Sequence, residues 1–111
     1  MLAPEARLRK SAEIAEVLRS GKRLPSRLIV IHIAVVADLP KRVAFAVGKS
    51  VGNSVDRHRL TRQLRHIMRT HLSKFPAGSQ VVVRALPSAK GATFTQLQES
   101  VDFALTKLGD Q

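Results

Sequence analysis

The 111-residue sequence contains no cysteine, tryptophan or tyrosine, and its only aromatic rings besides histidine are four phenylalanines. Without cysteine there is no disulfide framework and no thiolate metal site, which suits a reducing compartment and leads us to expect a cytoplasmic protein. Acids are almost as scarce. Of eight, only Asp38 and Asp56 lie between residues 17 and 98. Metal-assisted phosphodiester cleavage needs clustered carboxylates to hold divalent ions, so the chain is not expected to be a nuclease by itself. The histidines do not substitute for them. His66 and His71 are five apart, not the four that aligns two ligands on a helix, and His58 and His66 are more than two turns apart. No metal ligand, catalytic residue or serine triad is therefore assigned. Long apolar runs are missing too. The richest, "LIVIHIAVVA" at 28–37, is interrupted by His32 and is too short to cross a bilayer. The N-terminus mixes acids and bases and lacks the apolar centre of a signal peptide.

Basic residues are abundant. Nineteen Lys and Arg give a net charge of +11 and a pI near 11.6. A field of that size attracts nucleic acid or an anionic membrane surface. The charge is uneven: residues 41–74 hold nine Lys/Arg against the single acid Asp56, whereas residues 75–111 balance three against three. The polyanion-facing part is thus expected in the first two-thirds and scaffold in the last. Length and a 44% hydrophobic content predict one domain over 1–111, with 1–10 as a flexible arm.

The pattern along the chain predicts its elements. Ser11 as a cap, Glu13 in the first turn, and Ile14, Val17 and Leu18 before Gly21 predict a helix over about 11–19. "RLIVIHIAVV" reads as a strand with Ile29, Ile31, Ile33 and Val35 on one face and Val30, His32, Ala34 and Val36 on the other. After the turn "ADLPK", "RVAFAVGK" is a second strand, alternating Val43, Phe45 and Val47 with Ala44 and Ala46. Asn53 or Ser54 can cap a central helix that runs to about Leu72. "SQVVVRAL" is a further strand. The last helix, "TFTQLQESVDFALTKL", spaces Phe94, Leu97, Val101, Leu105 and Leu108 by three and four. Together these predict an α+β sandwich.

The central helix carries two stripes. Leu60, Leu64, Ile67, Met68 and His71 fall on one side and should be buried. His58, Arg62, Arg65 and Arg69 recur at i, i+4, i+7 and i+11 on another, flanked by Arg57 and Arg59. A neutral surface helix would alternate acids with bases for i,i+4 pairing; here like charges are stacked. Arginine's planar fork grips phosphate at two points. Gly48 and Gly52 permit close backbone approach, and amides at the helix start favour phosphate. "VGKSVG" is nevertheless not a nucleotide-binding loop, because Lys49 lies inside the glycines instead of after them. His32 can be either a satisfied semi-buried histidine or a ligand-facing one.

"RVAFAVGKSVGNSVDRHRLTRQLRHIM", at 42–68, resembles the signature of the bacterial ribonuclease P protein subunit: a strand ending in Lys, then a Val-Gly-Asn turn and an arginine-rich helix. The matching residues are Lys49, Val51, Gly52, Asn53, Val55, Arg57, Arg59, Arg62 and Arg65. The opening "RLRKSAEIAEVLRSGKR" is similar to the family's first helix, so the resemblance covers nearly the whole chain. It implies an α+β fold in a small two-layer sandwich, a mixed sheet with about three helices in the order αβββαβα. Its βαβ crossover would be left-handed, against the usual rule. It also implies that ribonuclease P RNA is the partner and, with Mg2+ bound through that RNA, the catalyst. The substrate would be precursor tRNA, whose 5′ leader is removed. The isolated protein, a monomer joining the RNA one to one, would bind no cofactor, no small molecule and no membrane.

The resemblance assigns contacts with the catalytic RNA to Lys49, Asn53, Arg57, His58, Arg59, Arg62, Arg65 and Arg69. It assigns a cleft for the single-stranded leader to Lys10, Ile14, Leu18, Val30 and His32. Three departures stand out. His58 occupies an Asn position, making the contact tunable by pH. Thr61 and Ser50 replace basic residues, which removes phosphate contacts. Ile14 and Leu18 replace aromatics, so base stacking by that helix is lost and leader binding must lean on apolar contact, His32 and charge. The alternative to this reading is a non-enzymatic ribosomal or ribosome-assembly RNA-binding protein.

Overall fold

The computed structural model describes residues 11–108. The arm expected over 1–10, and with it Lys10, lies outside them. The chain runs α1 (Ser11–Ser20), β1 (Lys22–Pro25), β2 (Ile29–Val35), β3 (Arg42–Ala46), a 3-10 turn (Lys49–Val51), α2 (Ser54–His71), β4 (Ser79–Ala85) and α3 (Phe94–Thr106). The four strands form one mixed sheet in the order β1-β2-β4-β3. β2 is antiparallel to β1 and β4, pairing Ile33 with Lys22 and with Val81. β3 is parallel to β4, with Val43 opposite Val81 and Phe45 opposite Val83. A parallel pair needs a crossover, and α2 provides it.

The two faces of the sheet are covered differently. Ile29, Ile31, Ile33, Val43, Val81 and Val83 pack under α2 and α3 with Leu60, Leu64, Ile67, Met68, Leu97 and Val101. On the opposite face, Ala44 and Val82 meet Val17 of α1, with Ile14, Leu18, Ala34 and Ala46 packed around them. Cover on both sides explains why β2 and β4 read as nearly continuous apolar runs. β1 is the strand that pattern does not locate. Its four residues, "KRLP", expose all but Leu24, so an edge strand with one inward side chain shows no periodicity.

α1 is pinned to the sheet by charge as well as packing. Arg42 Nη2 donates to Glu13 Oε2 at 3.1 Å, and Arg42 Nε donates to Gln80 Oε1 at 2.9 Å. Ser11, expected as a cap, lies within the first turn of α1.

Candidate nucleic-acid interface

α2 starts where Asn53 turns the chain. The Asp56 amide donates to Asn53 Oδ1 at 2.9 Å, and the Asn53 amide donates to Asp56 Oδ2 at 3.1 Å, a complete capping box. Gly52 makes this possible. Its φ of 136° lies in a region that L side chains rarely adopt, and a Cβ there would collide with the Asp56 side chain. Gly48 is different: its backbone is extended and a Cβ would meet nothing. The helix start therefore differs from the open amide cradle expected of it. Two of its N–H groups are filled by the chain's own side chains, and Asn53 spends its oxygen on the cap. Anion attraction at this end falls to the side chains.

α2 separates its faces as the pattern predicts. Its buried residues are Leu60, Leu64, Ile67, Met68 and His71. Arg57, His58, Arg62 and Arg65, with Val47, Ser54 and Thr61, line a single open cavity of about 450 Å³ between the end of β3 and the first turns of the helix. Arg59, Arg69, Lys49 and Asn53 are exposed outside that cavity, so the predicted stripe divides into a lined groove and a flanking set. The Arg65 guanidinium carbon sits 5.7 Å from the centroid of Phe45, which holds the cation over the sheet edge. The Nε atoms of Arg57 and Arg65 are buried without a partner. Thr61, in the groove wall, donates its hydroxyl to Arg57 O at 2.8 Å, so its donor is spent on the helix backbone.

Among the described residues no acid is paired with these cations. The ion pairs among the described residues are Arg19–Glu16 and Arg42–Glu13, and His71 lies beside Asp102. None involves Lys49, Arg57, Arg59, Arg62, Arg65 or Arg69, and the one acid nearby, Asp56, is held in the cap. A row of unpaired arginines on one helix face meets the requirement for gripping a phosphate backbone.

The positions expected to form a leader cleft lie on the other side of the sheet. Ile14 and Leu18 project from α1, half-buried against Ala34 and Ala46. Val30 and His32 occupy alternate positions of β2 on that same face and are 2% and 3% exposed. His32 is the better resolved of its two expectations: its Nε2 accepts from Arg84 Nε–H at 3.2 Å, while Nδ1 is buried and unpartnered. Burial, then the charges of Arg84 and Arg23, hold its pKa below the usual histidine value, so it is neutral. Arg84 was not singled out from sequence, and no signal there could have found it. A lone arginine in "VVVRAL" carries no spacing, and its partner is 52 residues away.

His71, expected near the core, faces α3, with Nε2 3.1 Å from Asp102 Oδ1 but out of line for a good hydrogen bond. Desolvation, then Lys74, lowers its pKa, and Asp102 only partly opposes them. Among the described residues no group of His, Asp and Glu is arranged to hold a metal ion.

Fold and charge together define a class: small, strongly basic α+β proteins with an arginine-lined helix beside a mixed sheet. Known proteins narrow this. The family model described as Ribonuclease P matches residues 2–109. The ribonuclease P protein component of a Nocardioides species is 39% identical over 112 residues, covering 98% of this chain and 96% of that one. That of Acidothermus cellulolyticus is 41% identical over 110 residues, covering 97% and 92%. The chain belongs to the ribonuclease P protein family, and so to the protein part of a tRNA-processing ribonucleoprotein endonuclease. Solved structures agree on the fold. The Staphylococcus aureus RNase P protein superposes with a TM-score of 0.83 at 24% identity, covering 93% of this chain and 94% of that one. The Thermotoga maritima protein gives 0.78 at 22%, covering 91% and 96%.

Proposed function

We propose that this chain assists an RNA catalyst: it docks on ribonuclease P RNA through α2 and holds the 5′ leader of precursor tRNA on the α1 face of the sheet. The RNA, with Mg2+ bound through it, cleaves the leader to give the mature tRNA 5′ end; the protein joins it as a monomer, one to one, in the cytoplasm. The observation that carries this reading is the row of cations on and before α2 that have no acid partner among the described residues, set on a helix whose opposite stripe is committed to the core. Such a face serves a polyanion and leaves no apolar side to lie on a membrane. The lining set Arg57, His58, Arg62 and Arg65 would grip the catalytic RNA, with Lys49, Asn53, Arg59 and Arg69 flanking it. Ile14, Leu18, Val30 and His32 would floor the leader cleft.

β3 separates the two surfaces. Ala46 faces the α1 side, and the next residue, Val47, lines the arginine groove. One edge strand thus places the proposed leader path beside the proposed RNA contact. Replacing Arg62 and Arg65 together by Ala, and titrating the protein against ribonuclease P RNA at several salt concentrations, tests the assignment of α2. We expect weaker binding and a shallower salt slope. An unchanged slope would remove α2 from the interface.

A further inference from the structure

We propose that His32 is a hydrogen-bond donor for single-stranded RNA, and that Arg84, to which no role has been assigned, is the positioning residue that makes it one. The inference rests on the leader-cleft reading above and names the group that does the recognising.

Neutral imidazole has one N–H and one lone pair, and a neighbour decides which nitrogen carries which. Arg84 Nε can only donate, and it lies 3.2 Å from His32 Nε2. The lone pair is therefore at Nε2 and the proton at Nδ1. Protonating Nε2 as well would turn N–H against N–H. The cations acting on the ring are Arg84 from β4 and Arg23, opposite it on β1. On α1, Glu13 is paired through Oε2 with Arg42, and its Oε1 and His32 Nδ1 are each buried without a partner. The ring is thus fixed as a neutral Nδ1–H donor, 97% buried, and among the described residues nothing receives the bond.

An unmet buried donor is a standing cost to the free protein, and an incoming acceptor removes it. Nδ1 has no exposed surface in the free protein, so an acceptor reaches it only where the half-buried Ile14 and Leu18 of α1 give way. Ala34, Ala44 and Ala46 keep this face shallow, and Ile14 and Leu18 are only half-buried above it. With no aromatic there to stack a base, a fixed donor supplies the selectivity that stacking cannot. The acceptor is a base-edge oxygen or nitrogen, or a phosphate oxygen, of the strand.

The test uses the complex of this chain with ribonuclease P RNA. The readout is the ratio of affinities for one precursor tRNA with its single-stranded leader and the same tRNA without it. Arg84→Met and His32→Phe should each lower that ratio by roughly three- to tenfold, the loss of one hydrogen bond, without changing leaderless affinity. His32→Asn keeps a donor near the Nδ1 position and needs no tautomer chosen for it. In that background Arg84→Met should cost little. Replacing leader nucleotides singly by abasic units, and phosphates singly by neutral methylphosphonates, should find one position at which sensitivity to Arg84→Met disappears. The arm in which it does so identifies the acceptor as base or phosphate.

A wild-type ratio of one overturns the cleft reading and this inference with it. A wild-type gain that Arg84→Met leaves intact overturns the inference alone. So does an equal cost of Arg84→Met in the His32 and His32→Asn backgrounds, or the absence of any sensitive leader position.

Discussion

Single side chains decide how strongly this surface holds a polyanion. Arg62 is exposed, unpaired and part of the groove lining, so its charge is available to a phosphate. Arg62→Ala should weaken binding of ribonuclease P RNA and reduce the salt slope by about one. Arg19→Ala, which breaks an exposed pair with Glu16 far from α2, should leave the slope unchanged. Titration curves at several salt concentrations check both. The histidines add a pH dependence of stability. His32 and His71 both have folded pKa values below the ordinary 6.5, chiefly through desolvation. As pH falls through about 6.5 the unfolded chain takes up protons before the folded one, so stability present above that pH is lost as pH falls toward the folded values. The melting temperature should therefore drop between about pH 7.5 and pH 5.5, and by less in His71→Leu. An equal drop in that variant would remove His71 from the account. At this scale the sequence is a partial guide. The arginines announce themselves by spacing, whereas the Arg84–His32 contact depends on strand pairing that no local pattern reveals.

Among elements, α2 is where sequence and structure agree most closely. Its two stripes were legible because 3.6-residue periodicity converts directly into faces, and Leu60, Leu64, Ile67 and Met68 are buried as their spacing predicts. Leu64 is fully buried under the sheet. Leu64→Ala should cost about 2–5 kcal/mol in chemical denaturation, through lost transfer energy and a residual cavity. The turn ahead of α2 was half legible. A cap at Asn53 could be read from residue type, but the reason for Gly52 could not, since it lies in the reciprocal bonds of Asn53 and Asp56. Gly52→Ala combines an unfavourable φ with a collision at Asp56. It should destabilise by about 1–3 kcal/mol and weaken RNA binding, because the first-turn arginines lose their frame. β1 was not located for the opposite reason: one inward leucine between polar residues and a proline gives no pattern to read.

Across the whole molecule, charge and core occupy different parts of one small fold. β2 and β4 form a centre apolar on both faces, α2 and α3 seal one side, and α1 covers part of the other. The cations are left on a helix that the core cannot spare and on a loop before it. This arrangement gives the protein a strong positive field, and among the described residues no group of carboxylates and histidines is arranged to hold a metal ion. The central claim is that the chain serves an RNA catalyst, and reconstitution tests it most directly. Cleavage of a precursor tRNA should be measured with this protein alone, with a bacterial ribonuclease P RNA alone, and with both at moderate salt and limiting Mg2+. The account predicts no cleavage by the protein alone and a 5′-maturation rate for the pair well above that of the RNA alone. Cleavage by the isolated protein, or a pair no faster than its RNA, would contradict it.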